Sequence, residues 1–274
     1  MTLPGFKVLL MGPSGSGKTT SLKTLLDTGI EVFAVFTEPR YDVLGADVLN
    51  RIHYRYLAPA SLNWRTLTST AQLVNSMTVE SLTKLASTGG PEFQQLIDLY
   101  KLMNDFVDQN GESFGDVATW GTDRLLWIDS LTGINTMARK LKAGTRVTLT
   151  QPEWGICMTM IKETIDTLVT GLFCSFVLTA HIERELDEVS GMSRVMVSTM
   201  GRKLAPILPV NFSDVILTKR TSEGFFWSTV ESDADVKSGF CPVGNKLPPS
   251  FAPLVARWLE RGGALGVKPP EAWR

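Results

Sequence analysis

The sequence predicts an α/β fold: a mostly parallel sheet flanked by helices, with a helical insertion and a C-terminal β-hairpin. Three observations carry this. Short apolar runs rich in Val, Ile, Leu and Phe recur between helical segments, the pattern of buried parallel strands. The first run leads directly into a glycine-rich stretch that opens a helix. A late pair of runs is separated only by Thr221-Ser-Glu-Gly224, a hairpin signal.

The first run, Phe6 to Met11, leads into Gly12-Pro13-Ser14-Gly15-Ser16-Gly17-Lys18-Thr19-Thr20. This fits G-x-x-x-x-G-K-[ST], the phosphate-binding P-loop. Its glycines let backbone N–H groups turn toward phosphate oxygens, and a helix N-terminus adds partial positive charge. Lys18 is expected to reach the β- and γ-phosphates of ATP, with the Thr19 hydroxyl on Mg²⁺. Leu22, Leu25 and Leu26 share one face of the helix expected from about Lys18.

Glu31 to Thr37 is a second buried strand, stopped by Glu38-Pro39-Arg40. Arg51 to Leu57 alternates as an edge strand would. Over 58–122 the pattern turns helical, with helices expected at Ser61–Asn75, Val79–Ser87 and Pro91–Gln109; Pro91 suits a first turn. Leu96, Leu99, Tyr100, Met103 and Phe106 form an apolar stripe, which reads as packing.

Arg124 to Ile128 is a third buried strand, ending in Asp129-Ser130, a Walker B pattern. Ligands of open α/β sheets lie at the carboxyl ends of strands, so Asp129 is placed to serve Mg²⁺ with Thr19. A helix over Leu131–Leu141 runs into Arg139, Lys140, Lys142 and Arg146. These are either cations favoured by a helix C-terminus or a phosphate-facing loop. Thr150 and Glu153 form a capping box, with Pro152 in the first turn of a helix reaching about Thr170. Trp154 in that turn either packs in the core or stacks on a base.

Cys174 to Thr179 is a fourth buried strand, followed by Ala180-His181. His181 is either a γ-phosphate sensor or a strand-end histidine hydrogen-bonded locally. Glu183 to Thr199 reads as a long polar loop, followed by Gly201-Arg202-Lys203. Asp214–Lys219 and Phe225–Val230 are the hairpin strands, with Lys219 and Arg220 at the tip. Ser250 caps a last helix, Phe251–Arg261, and 262–274 reads as a flexible tail. One domain, 1–274, is expected.

With 43% hydrophobic and 20% charged residues in 274, the chain can bury a full core. No apolar run suggests a membrane span or signal peptide, and a cytoplasmic setting is expected. Three scattered cysteines, two histidines and no C-x-x-C argue against structural zinc. A net charge of −1 confines any nucleic-acid contact to a local patch.

These motifs, in this order, resemble the ATPase core of RecA-like recombinases. They are also similar to bacteriophage nucleotide-binding proteins grouped with Sak-type single-strand annealing proteins. The resemblance covers about 5–55 and 123–250. It implies an Mg²⁺-dependent ATP hydrolase acting with single-stranded DNA in recombination or annealing, in the host cytoplasm if phage-encoded. It implies a homo-oligomer, ring or filament, with a single-stranded DNA-binding protein as a further partner. Glu38 would orient the attacking water and His181 would sense the γ-phosphate. The DNA-facing loops would fall at about 139–151 and 183–201, giving Arg139, Lys140, Lys142, Arg146, Arg194, Arg202 and Lys203. Related ATPases carry a Lys-x-Arg pair after the hairpin; here the place reads Lys237-Ser-Gly. The cation acting on a neighbouring subunit is therefore open among Lys219, Arg220 and Lys237. Two rivals remain: a nucleotide-dependent switch or motor in replication or packaging, and a nucleotide kinase. Ser130, where AAA+ machines usually have Glu, weakens that class.

Overall fold

The computed structural model describes residues 3–60, 63–85, 90, 93–186, 193–201 and 203–273. Nine strands are described: β1 (Lys7–Met11), β2 (Glu31–Phe36), β3 (His53–Tyr56), β4 (Arg124–Asp129), β5 (Ser175–Ala180), β6 (Ile182–Leu186), β7 (Ser193–Val197), β8 (Asp214–Thr221) and β9 (Gly224–Ser228). Seven form one sheet in the order β3-β2-β4-β5-β1-β8-β9. All neighbours in it are parallel except the β8–β9 hairpin. The expected α/β class, the mostly parallel sheet and the C-terminal hairpin are all present. β3 lies at the edge, as its alternating sequence predicts.

The helices are α1 (Ala46–Leu49), α2 (Trp64–Ser76), α3 (Val79–Lys84), α4 (Gln95–Asn104), α5 (Leu131–Ala143), α6 (Gln151–Thr170) and α7 (Ala252–Glu260). Alternate residues of each strand feed opposite cores, because side chains of a strand point to opposite faces. Leu9, Phe33, Leu126 and Phe176 join a core with α4, α5 and α6. Val8, Val32, Trp127 and Val177 join one with α1 and α7. Three layers thus hold the carboxyl ends of β1, β2, β4 and β5 along one edge.

Several expectations differ from what the fold contains. The segment after the P-loop is a 3-10 helix, Thr19–Leu25, rather than an α-helix. Ser21, Thr24 and Thr28 each donate a hydroxyl to the carbonyl three residues back, which competes with the α-helical pattern. The polar stretch after His181 is an antiparallel hairpin, β6–β7, with Val195 and Val197 buried. The third insertion helix stops at Asn104; Phe106 and Asp108 instead pair with Phe114, Gly115 and Glu112 across a turn. Pro91 lies outside the described residues. The N-cap of α7 is Phe251 rather than Ser250. Finally, the tail is tied down. Thr122 and Val267 exchange hydrogen bonds of 3.0 Å, and the Trp273 ring meets Phe173 edge-on.

The capping box at α6 forms as expected. Beyond the hairpin, Asp214 Oδ1 accepts the N–H groups of Gly239, Phe240 and Cys241, fastening that segment to β8. No helix among the described residues is long and apolar enough to cross a membrane.

Candidate nucleotide site

The P-loop leaves β1 at the carboxyl edge of the sheet. Gly15 and Gly17 have φ of 71° and 87°, the left-handed region that glycine enters without steric cost. Ser16 fixes the loop's middle: its hydroxyl donates to Pro13 O at 2.7 Å and lies 2.6 Å from Thr218 Oγ1 on β8. Lys18 Nζ lies inward, donating to Gly12 O and Pro13 O at 2.8 and 2.9 Å. Burial lowers its pKa, against the opposing pull of the Asp129 and Glu38 carboxylates.

Asp129 stands at the end of β4, one strand away from β1. Its Oδ2 accepts the Thr19 hydroxyl at 2.5 Å, and its Oδ1 accepts the Thr179 hydroxyl from β5. Burial pushes the Asp129 carboxyl above its ordinary value, against both hydroxyl donors. A divalent cation would relieve that cost. The donors, one hydroxyl and one carboxylate beside the glycine-rich loop, are hard oxygen ligands of the kind that suit Mg²⁺. No cluster of three or more His, Cys, Asp or Glu is present among the described residues, so phosphate and water would complete such a shell.

Glu38 faces the same cleft from the end of β2. Its carboxylate takes the Ser130 hydroxyl on one oxygen and lies 3.4 Å from His181 Nε2 on the other. The His181 contact is the largest cause holding the Glu38 pKa down; Ser130 adds to it and burial opposes it. Thr37, fully buried, locks the partner strand: Ser130 N donates to its hydroxyl at 2.7 Å, and that hydroxyl donates to Ser130 O at 3.0 Å. Gly133, in the first turn of α5, lets that turn approach Thr37.

Ser14 to Thr20, Glu38, Asp129 and His181 line one cavity of about 480 Å³. Arg40 and Tyr41 line it as well. Tyr41 stacks on Phe36 with centroids 5.1 Å apart and contacts Tyr54 and Tyr56. Sequence reasoning missed Tyr41, Thr37 and Thr179 as contributors. A polar residue inside an otherwise apolar strand (CSFVLT) was the available signal for Thr179.

Of the other candidates, Arg220 lies beside the glycine-rich loop, its Nη1 4.0 Å from where a Gly15 Cβ would stand, and the rest are dispersed. Lys219 pairs with Glu231, and Lys237 Nζ donates to Val210 O at 2.7 Å, so both cations have partners within the chain. Arg220 packs over the Phe225 ring at 5.7 Å, and Phe225 covers Gly17. The basic cluster is not free of acid in space. Arg146 bonds Glu153 at 2.5 Å and Lys142 lies 3.9 Å from it. The Arg146 contact holds the Glu153 carboxyl down to about 2. Arg139 donates to Val147 O, and Lys140 sits over Phe93. Each of the four thus has a partner near this helix end. Arg194 forms a two-pronged pair with Asp235. Lys203 is exposed, and Arg202 lies outside the described residues. Trp154 is 38% exposed rather than in the core.

No protein-family model matches the chain, and no curated protein matches it. Among solved structures, the chain is similar to one titled "Crystal structure of the RadB recombinase". The match is at 14% identity, over 89% of this chain and 86% of that one, with a TM-score of 0.34.

Proposed function

We propose that this protein is an Mg²⁺-dependent ATP hydrolase with a RecA-like core, working on single-stranded DNA in recombination or strand annealing. The observation that carries the hydrolase reading is the convergence of four groups on one cavity: Lys18, Thr19 with Asp129, Glu38, and His181. P-loop N–H groups and Lys18 hold the phosphates. Thr19 and Asp129 would hold Mg²⁺, which supplies charge neutralisation on the phosphate oxygens. Glu38, kept ionised by His181 and Ser130, takes a proton from water as that water attacks the γ-phosphorus. The bond to the bridging oxygen breaks, leaving ADP and inorganic phosphate. Such catalysis is positioning plus charge stabilisation, with no covalent intermediate. The Tyr41 ring offers the nucleobase an aromatic surface.

The DNA partner rests on the motif order and its resemblance to RecA-like recombinases, and so does assembly into a ring or filament. Within the basic cluster, Arg139, Lys140 and Lys142 are the groups proposed to meet phosphates, exchanging their contacts within the chain for them. Residues 58–122 are an insertion into one domain. The test is ATP turnover with and without single-stranded DNA, for wild type and Lys18→Ala. Turnover by wild type, raised by DNA and lost in Lys18→Ala, is expected. Normal turnover by Lys18→Ala would refute the site, and turnover indifferent to DNA would refute the partner.

A further inference from the structure

Arg40 is the one non-glycine residue with positive φ among the described residues, at φ 82° and ψ 20°. Glycine takes this left-handed conformation freely; an arginine takes it against the bulk of its own Cβ. A turn alone would be served by glycine, and side chains held in such conformations gather at sites where they must be placed. The kink is supported on each side. Pro39 has a fixed φ just before it, and the Tyr41 ring just after it stacks on Phe36. Arg40 lines the nucleotide cavity with Lys18, Glu38 and Asp129. Its side chain is 84% exposed, and its one ion pair among the described residues is with Asp42, through Nε at 3.7 Å. An exposed pair of that length contributes little, so the guanidinium can leave it.

We propose that Arg40 binds the γ-phosphate of ATP as a cation supplied by the same chain, exchanging Asp42 for phosphate oxygens when the nucleotide enters. This rests on the ATP hydrolase reading above and deepens it. Charge supports the assignment. Lys18 and Arg40 are the only Lys or Arg lining the cavity among the described residues, and they face two carboxylates, Glu38 and Asp129. Without Arg40 one cation would face two acids, in a site that takes an anion which one Mg²⁺ does not neutralise. Lys219, Arg220 and Lys237 are not among the residues that line it. Position supports the γ-phosphate, since Arg40 follows Glu38, the group that holds the attacking water, by two residues. Chemistry supports it as well: the planar guanidinium fork matches two phosphate oxygens at once. Arg40 gives N–H donors and no proton. As water attacks the γ-phosphorus its proton passes to Glu38, the bridging bond breaks, and the charge gathering on the phosphate oxygens meets the guanidinium. The site then has its second cation without a neighbouring subunit.

The experiment uses Arg40→Gly, because glycine enters φ 82° without strain and the turn keeps its path. Circular dichroism verifies the fold. Titration calorimetry with Mg²⁺ measures affinity for ADP and for a non-hydrolysable ATP analogue. Single turnovers at saturating ATP measure hydrolysis, with wild type and Lys18→Ala alongside. Arg40→Gly should hold ADP within a few-fold of wild type. Its affinity for the analogue should fall about tenfold, the scale of one hydrogen bond to a charged group. Hydrolysis should fall on the order of 10²-fold, as when one donor to the developing charge is removed. An unchanged preference for the analogue over ADP would overturn the proposal, assigning Arg40 to the base, to the inner phosphates or to the turn alone. So would hydrolysis within a few-fold of wild type. Failure of the underlying reading looks different: wild type would then bind neither nucleotide, or Lys18→Ala would turn over normally.

Discussion

Thr19 and Asp129, separated by 110 positions in sequence, are joined by a hydrogen bond of 2.5 Å from hydroxyl to carboxylate. This bond joins the P-loop to the acid at the end of β4, and a cation bound there would take both oxygens. Thr19→Val is expected to remove most of the gain in ATP affinity that Mg²⁺ confers, while affinity measured in EDTA changes little. Titration calorimetry in both buffers checks this. An unchanged Mg²⁺ effect would place the metal elsewhere.

Glu38→Gln keeps the size of the side chain and can still accept the Ser130 hydroxyl. It removes the charge that accepts a proton. ATP affinity should persist within a few-fold while single-turnover hydrolysis falls at least ~10²-fold, the usual scale of a general base. A loss of only a few-fold would move the base to another residue.

Gly133 brings the first turn of α5 against Thr37, just past β2. A Cβ there would lie 2.0 Å from Thr37 Oγ1 and 2.3 Å from Thr37 Cβ. Gly133→Ala should cost about 1–3 kcal/mol in urea unfolding, the usual scale of overpacking. It should also slow hydrolysis, because Thr37 holds Ser130 and Ser130 holds Glu38. Wild-type stability in this variant would show that α5 can move aside freely.

Lys7 is buried at the amino end of β1, where its ammonium donates to Leu172 O at 2.8 Å and to Cys174 O. Burial lowers its pKa from 10.5 to about 8. Between those values the unfolded chain holds a proton that the folded chain does not, so stability rises with pH. The penalty is fully present below about pH 8 and fades as pH approaches 10.5. Its size is on the order of 3 kcal/mol. Urea unfolding at pH 7.5 and pH 10 should show wild type gaining stability, with Lys7→Met losing most of that gain. Equal pH slopes would contradict the assignment.

Neutralising Arg139, Lys140 and Lys142 together, while keeping Arg146 on Glu153, tests the proposed DNA contact, with urea unfolding to verify that the helix end holds. Binding of oligonucleotides should weaken and its dependence on salt should flatten. Basal ATP turnover should hold. Unaltered binding with an unaltered salt slope would assign the three cations to structure alone.

The core of the site was legible because its parts are local. A P-loop declares itself within nine residues, and Asp129 and His181 each end an apolar run. What was not legible depends on strand order. Glu38 and Ser130 lie 92 positions apart, and Thr179 and Asp129 lie 50 apart. Only the placement β2-β4-β5 brings those ends together. Strands β6 and β7 escaped notice because charged residues on IEREL obscure a period of two. The Arg146–Glu153 pair went unseen because Glu153 was already explained as a cap; one carboxylate serves both roles.

Trp64, on α2, is 84% exposed and gives the protein an optical handle. Trp120, Trp127, Trp227 and Trp258 are each at most 1% exposed, so they emit from dry, fixed surroundings. Trp64 emits from water. Iodide reaches exposed rings and not the interior, so the quenchable share of fluorescence is weighted toward α2, with lesser parts from Trp154 and Trp273. The sequence therefore supplies, with no label attached, a light signal from α2 against a constant background from the two cores.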